Sequence, residues 1–305
     1  MRTRNYERYV GTDEVITYPS IDDFIEADNV TGLNNIKYRG LNLDVLVEDN
    51  ESETTVVYFH AAIAKDNATI PVFNGLNLNS SVGANAIYVS DPVLESDLTL
   101  GWYAGDEDHH LQEDLVRVFQ KILGQLPPHR HLIFFGASGG GFASLYFSSQ
   151  FDDSLAIAIN PQTNVLRYFD TFVDPFLEKF WPNFSESHPG FAYDTGEIYS
   201  RRFKNSVLYI QNLGDRSHVR SHLIPFLEDI NPEDERFMLH FVRWGKGHRA
   251  AGSLVLIPLL RTAISCRGEW GHIREKLTLS KEFNPESIDS ASTKYIFEMI
   301  REEKK

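Results

Sequence analysis

Residues 132–147 read LIFFGASGGGFASLYF, and within them Gly136-Ala137-Ser138-Gly139-Gly140 fits the pattern G-x-S-x-G. In that pattern a serine stands on a tight turn from a strand into a helix, and its chemistry is acyl transfer through the hydroxyl. The β-rich run before Ser138 supplies the strand, and the small residues after it open a helix. Glycine at 136 and 140 lets the two backbones approach, so Ser138 can hold a strained conformation with Oγ exposed. The amide of Gly139, at the helix N-terminus, faces a place where negative charge would develop on an oxygen. A phosphate-binding P-loop is excluded, because no Gly-Lys-Ser/Thr follows. A dinucleotide loop would set its glycines after the first strand, and here they follow the fourth or fifth. A glycine-rich turn without chemistry is the alternative reading.

A serine hydroxyl needs a base to take its proton, and the base needs a carboxylate to orient it. The strand pattern VLYIQ is followed by Asn212-Leu213-Gly214-Asp215, and FMLHFV by Arg243-Trp244-Gly245-Lys246-Gly247-His248. Asp215 and His248 therefore stand in loops after successive strands, where the site of a doubly wound sheet is expected. Asp215 has two alternatives: it could cap the helix starting near Ser217, or the acid could be Asp174. His218 and His222 are four residues apart, a spacing that can hold a metal. His-Glu-x-x-His is absent, since residue 219 is Val, so no metal site is assigned. His218 is read instead as lining the pocket entrance. Asp106-Glu107-Asp108-His109-His110 precedes a helical pattern and is read as helix-capping charge.

These residues need elements to position them. Short β-branched or aromatic runs mark strands at Thr54–Phe59, Ala86–Val89, Leu132–Phe135, Leu155–Ile159, Val207–Gln211 and Phe237–Val242. Near-continuous apolar strands suit a parallel sheet covered on both faces. Helical spacing appears in Leu111, Leu115, Val118, Phe119 and Ile122, after Ser138, over about 217–229, over about 250–265 and over 290–303. Ile36–Val47 reads as one or two antiparallel edge strands. Residues 161–204, rich in aromatics and proline, break the alternation as a small cap-like insertion. The expected organisation is an N-terminal segment (1–53), an α/β core (54–265) and a C-terminal helical extension (266–305).

The chain has 305 residues, 42% of them hydrophobic, with 29 Lys and Arg against 43 Asp and Glu, a net charge of −14. This is globular composition, and its sign disfavours nucleic acid or an anionic membrane surface as the main partner. Against that background Arg216, Arg220, Arg243, Lys246 and Arg249 gather around the acid and base, and could attract an anionic substrate. The single cysteine, Cys266, allows no intrachain disulfide and no cysteine-based zinc cage. The N-terminal residues carry no apolar signal core, and no run reaches transmembrane length. The expected location is cytoplasmic, and the five Asn-x-Ser/Thr triplets are read as chance.

The order Ser138, Asp215, His248, each after a strand, resembles the α/β-hydrolase superfamily over about residues 54–265. That resemblance implies a doubly wound, mostly parallel sheet with a helical insertion. It also implies a second oxyanion donor from the loop after Phe59. There this chain has His60-Ala61-Ala62 where the superfamily often has His-Gly, so the amide of Ala61 or Ala62 is the candidate. His60 is expected to brace that loop or border the substrate. Trp102 and Tyr103 are expected to form a flat wall for a sugar or acyl chain, or else a core pair. The elbow, Asn160-Pro161-Gln162 and Trp102-Tyr103 also look similar to bacterial surface-polysaccharide O-acetyltransferases, which would imply acetyl-CoA as acyl donor and a glycan acceptor. No bound cofactor and no metal are expected. Esterase and O-acyltransferase stand level, with a non-catalytic binding or assembly protein of a polysaccharide or export system as the alternative.

Overall fold

The computed structural model describes residues 2–9, 14–38, 40–66, 69–126, 130–230, 234–249 and 251–278. The expected helix at 290–303 lies outside them. Strands β1 (Thr3–Arg4), β2 (Val15–Tyr18), β3 (Gly32–Tyr38), β4 (Leu41–Glu48), β5 (Thr54–Phe59), β6 (Thr69–Ile70), β7 (Asn85–Ser90), β8 (His131–Ala137), β9 (Leu155–Ile159), β10 (Ser206–Asn212) and β11 (Phe237–Val242) follow in chain order. Nine of them form one sheet in the order β11-β10-β9-β8-β5-β7-β4-β3-β2, while β1 pairs with β6. From β7 to β11 every neighbouring pair is parallel. The antiparallel part is β3–β4 and β4–β7. All six strands expected in the α/β core are present, within two residues at each end, with Phe237–Val242 as the outermost.

The expected edge strands around Ile36–Val47 are a hairpin, but neither strand is the edge. The short strand β2 pairs parallel with β3 and closes the sheet. Its VITY has four residues and only Tyr18 buried, too brief a pattern to read as a strand from sequence.

Side chains alternate across the central strands, and that alternation builds two apolar layers. Val56, Tyr58, Ile133, Phe135, Ile157 and Ile159 face one side, beneath α2 (Leu76–Val82) and helix Ser253–Ser265. Val57, Phe59, Phe134 and Val89 face the other, where α1 (Ile21–Glu26) and α3 (Leu111–Leu123) cover them. The helix after the serine, α4 (Gly139–Ser149), packs on the same side. The helical run expected over 217–229 spans 216–229, with a π turn at Val219–Leu223.

Residues 161–204 carry α5 (Asp170–Phe180) and α6 (Thr195–Tyr199). Phe176, Phe180, Trp181, Phe191 and Tyr193 bury against Trp102, Val93 and Leu100 as a separate apolar cluster. The aromatics expected to mark a cap therefore have a core of their own. Among the described residues, no helix is long and apolar enough to cross a membrane.

Candidate active site

Ser138 sits between β8 and α4 with φ 55° and ψ −120°, a conformation that L residues rarely adopt. Holding it costs roughly 1–3 kcal/mol. The neighbours offset that cost. The Ser138 carbonyl accepts hydrogen bonds from the amides of Gly141 (3.0 Å), Phe142 (3.1 Å) and Gln162 (3.1 Å), and its own amide donates to Ile159. The glycines are sterically required. A Cβ on Gly136 would lie 2.0 Å from the Gly140 carbonyl oxygen, and one on Gly140 would lie 2.8 Å from the carbonyl oxygens of both Phe59 and His60. The second contact places the elbow directly against the start of the His60-Ala61-Ala62 loop. The amides of Gly139, Ala61 and Ala62 donate to no protein acceptor among the described residues.

Asp215 follows β10 and is 2% exposed. Its Oδ1 accepts from the backbone N–H of His218 (3.2 Å), so it caps the next helical turn. Its Oδ2 accepts from Nδ1 of His248 at 2.6 Å. The capping and orienting readings of Asp215 are therefore both correct, one on each oxygen. Burial alone would raise this carboxyl. Hydrogen bonds from His218 and His248 and the nearby imidazole charge overcome it and hold the group well below the usual carboxylate range. Asp174 is exposed on α5 and takes no part in this pair.

His248 lies after β11 and keeps 39% of its side chain exposed. The loops that carry acid and base are clamped together. Gly247 N–H donates to the Gly214 carbonyl (2.8 Å), and the Asn212 amide donates to the carbonyls of Gly245 (3.1 Å) and Gly247 (3.2 Å). With Nδ1–H committed to Asp215, Nε2 is the ring atom available to take a proton. No hydrogen bond joins His248 to Ser138 here. The Ser138 hydroxyl oxygen instead accepts from Nε2 of Gln162 at 3.0 Å.

His218 is not at the pocket entrance. It is buried, and its ring stacks on His248 with centroids 4.1 Å apart and planes 10° apart. Its Nδ1 stands 3.1 Å from the same Oδ2 of Asp215, without the alignment of a hydrogen bond. Burial lowers its proton affinity, as it does for His222. Asp215, His218 and His248 place three donor atoms within 4.8 Å of one another. Two nearly parallel stacked imidazoles cannot both aim an in-plane lone pair at one ion, so this trio fits a hydrogen-bonded pair better than a metal centre.

Three more expectations need correction. Trp102 and Tyr103 form no exposed wall, since both are 0% exposed. Trp102 packs at 5.2 Å against Phe176, and Tyr103 at 5.0 Å against Phe59, where the aromatic insertion and the sheet offer more burial than solvent would. His60 has no ring atom left for substrate. Nδ1 donates to the Ala61 carbonyl and Nε2 accepts from the Asp91 amide. Burial lowers its pKa to about 4, so it is neutral and braces the loop. Asp106 does not cap α3, whose N-cap position is His110. It closes its own turn by accepting from the Asp108 amide and from the His109 ring. Lys246, Arg216, Arg220, Arg243 and Arg249 are all exposed, as the basic rim requires.

The segment Asn160–Thr163, of which Asn160-Pro161-Gln162 entered the sequence reading only through a resemblance, ties the site together. Asn160, with φ 41°, accepts from the Asn212 amide (2.6 Å) and reaches the Arg249 carbonyl (3.4 Å). Gln162 binds Ser138, and Thr163 donates through N and Oγ1 to His222 (3.3 and 3.0 Å). Nucleophile, acid helix and base loop thus meet on four consecutive residues. Sequence reasoning gave none of these four residues a role in the site, because their partners follow other strands of the sheet.

No protein-family model matches the chain, and no curated protein does. Solved structures do. A capsule O-acetyltransferase of Neisseria meningitidis serogroup A superposes with a TM-score of 0.57 at 16% identity, over 79% of this chain and 97% of that one. A point mutant of the same enzyme is known in complex with CoA. An S-formylglutathione hydrolase from Agrobacterium tumefaciens gives 0.51 at 13% identity, over 78% and 99%. The chain has the α/β-hydrolase fold. A glycosylation-associated protein complex from Streptococcus agalactiae also matches, with 0.52 at 16% identity, over 83% of this chain and 47% of that one. At these identities the likeness carries the fold, and the activity must be argued from the site.

Proposed function

We propose that this α/β-hydrolase-fold chain is a serine-dependent acyl enzyme, and that it works as an O-acyltransferase with acetyl-CoA as donor and a glycan hydroxyl as acceptor. The observation that carries the serine chemistry is the 2.6 Å bond from His248 Nδ1 to the buried Asp215, at the same C-terminal end of the parallel strands as the strained Ser138. Asp215 fixes the tautomer that leaves Nε2 unprotonated. His248 then takes the proton of Ser138 Oγ as that oxygen bonds to the thioester carbonyl carbon. The amides of Gly139 and of Ala61 or Ala62 hold the oxyanion. The carbon–sulfur bond breaks, His248 returns the proton to the departing thiolate, and an acceptor hydroxyl repeats the sequence on the acyl-serine.

Support for the donor comes from the O-acetyltransferase neighbour that binds CoA and from the exposed cations around His248, which suit an anionic, phosphate-bearing donor. Labelling with a fluorophosphonate probe tests the nucleophile: wild type should react and Ser138→Ala should not. Equal labelling would overturn the assignment. Release of free CoA from acetyl-CoA should then depend on a glycan hydroxyl. Turnover that ignores the acceptor and yields no acetylated glycan would make the enzyme an esterase, the reading that the S-formylglutathione hydrolase neighbour favours. A non-catalytic assembly role gains some support from the glycosylation-associated neighbour and from the unmade Ser138–His248 bond. The same labelling would reveal it as no reaction at all.

A further inference from the structure

We propose that Gln162 is a catalytic residue of this site, its carboxamide donating to the nucleophilic oxygen in a sense dictated by Trp102. The proposal rests on the serine reading above and adds a group that the triad does not contain.

The two ends of a glutamine amide look alike, and its orientation has to come from its partners. Here the partners decide it. Trp102 Nε1–H can only donate, so the oxygen of Gln162 must face it. The nitrogen must then face Ser138, where Nε2 stands 3.0 Å from Oγ. Neither Gln162 nor Trp102 reaches solvent, so no water competes for these bonds. The main chain fastens the same pair, because Gln162 N–H donates to the Ser138 carbonyl. Pro161 packs so closely on α4 that a Cβ on Gly141 would lie 2.8 Å from it. Gln162 therefore cannot move away from Ser138 without shifting the elbow.

A serine oxygen has one hydrogen and two lone pairs. With one lone pair held by Gln162, the hydroxyl hydrogen is turned elsewhere, and Nε2 of His248 is the acceptor that the chemistry needs. As the proton leaves and negative charge gathers on Oγ, a neutral N–H···O bond becomes a charge-assisted one and strengthens. The bond is thus worth more in the transition state than in the resting enzyme, which is the condition for catalysis. It acts again when Oγ departs from the acyl carbon. The burial of Trp102 also gains a function: its indole sets the sense of the amide.

The test is the rate constant for fluorophosphonate modification of the full chain, measured from pH 5.5 to 8.5 and expressed as a ratio to wild type at each pH. Gln162→Met, similar in length and without a donor, should react about 10- to 100-fold more slowly at every pH. Gln162→Glu should be as slow at high pH, where a carboxylate can only accept. Its ratio should climb as the pH falls, because a protonated carboxyl again accepts from Trp102 and donates to Oγ. Trp102→Phe should be slowed several-fold, and it keeps the proposal testable if the buried glutamate prevents folding. A ratio near one for Gln162→Met, or a low ratio for Gln162→Glu that stays flat with pH, would overturn the donor role and leave Gln162 as packing. If Ser138→Ala loses labelling while the Gln162 variants do not, only this proposal fails. If Ser138→Ala is labelled like wild type, the serine reading and this proposal fall together.

Discussion

Replacing Asp215 with asparagine changes one atom's chemistry and leaves the shape almost intact. In the native site Oδ1 accepts from the His218 amide and Oδ2 accepts from His248 Nδ1 at 2.6 Å. Asparagine can keep the first bond and still cap the helix, so the cap contributes little to the loss. The second position becomes an NH2 group, which can only donate. His248 Nδ1 must then lose its hydrogen to accept, and the ring adopts the tautomer protonated at Nε2. That nitrogen can no longer take the proton of Ser138. The expected loss is about 10⁴-fold in the rate of serine modification, as for a triad with its tautomer reversed. This corresponds to about 5.5 kcal/mol of activation free energy.

The same carboxyl gives the experiment a second arm. Asp215 is held below its usual proton affinity in the fold: burial opposes this, and His218 and His248 outweigh it. A depressed carboxylate contributes stability that is complete above the unfolded value, near pH 4, and is lost as the pH falls toward the folded one. Each tenfold difference in proton affinity is worth about 1.4 kcal/mol. Asp215→Asn should therefore show a weaker loss of unfolding free energy between about pH 4 and pH 2 than wild type in urea titrations. Wild-type reactivity in this variant would refute Asp215 as the orienting acid. An unchanged acid limb would refute the depressed carboxyl.

Other substitutions probe the surrounding frame. Gly140→Ala sets a Cβ 2.8 Å from two backbone carbonyl oxygens, and should cost about 1–3 kcal/mol in urea unfolding together with most serine labelling; full labelling would show that the elbow can open. Asp91 is buried, accepts from the amides of Val93 and Tyr103, and is pushed up to about 6 by burial, against those two bonds. Since the folded state holds its proton more tightly, wild-type stability should fall as the pH rises from about 4 to 6. Asp91→Asn should gain about 1–3 kcal/mol relative to wild type across that window, and a constant difference would contradict the raised value. His218→Phe should keep the stack on His248 and most labelling, whereas His218→Ala should lose up to about tenfold, the worth of one aromatic pair. Equal rates for the two would remove the stacking argument.

The central strands were legible because they are buried on both faces, so hydrophobicity alone marks them. The elbow was legible because Gly136 and Gly140 have no alternative: backbone oxygens occupy the space that a Cβ would need. Asp215 and His248 followed from their places after two successive strands. What stayed hidden depends on three-dimensional neighbours. Trp102 looked like a binding surface because an aromatic pair after a strand is equally at home in a wall or in a core. Only the insertion, with Phe176 and Tyr168 near its ring, decides between them. His218 lies one helical turn from Asp215 in sequence, yet its closest ring is His248, thirty residues away.

Asp215 shows why the competing sequence readings were not truly exclusive. A carboxylate has two oxygens with separate lone pairs, so capping a helix and orienting a base can be done at once. The cap has a consequence for the chemistry. By accepting from the His218 amide, Oδ1 fixes the rotation of the carboxylate, and this aims Oδ2 at the His248 ring. Gln162 works by the same logic at the other end of the site. Its oxygen is taken by Trp102, so its nitrogen has one direction left, toward Ser138. In both groups a bond that does no chemistry sets the direction of one that can. Alignment of the serine with the histidine depends on the Gly245–His248 loop, whose hydrogen bonds run to Asn212 and Gly214. Asn212→Ala removes two of those bonds and should loosen the base relative to the nucleophile. Serine modification should slow by about tenfold, roughly the worth of one or two hydrogen bonds. Labelling at the wild-type rate would mean that the base loop is held by other contacts.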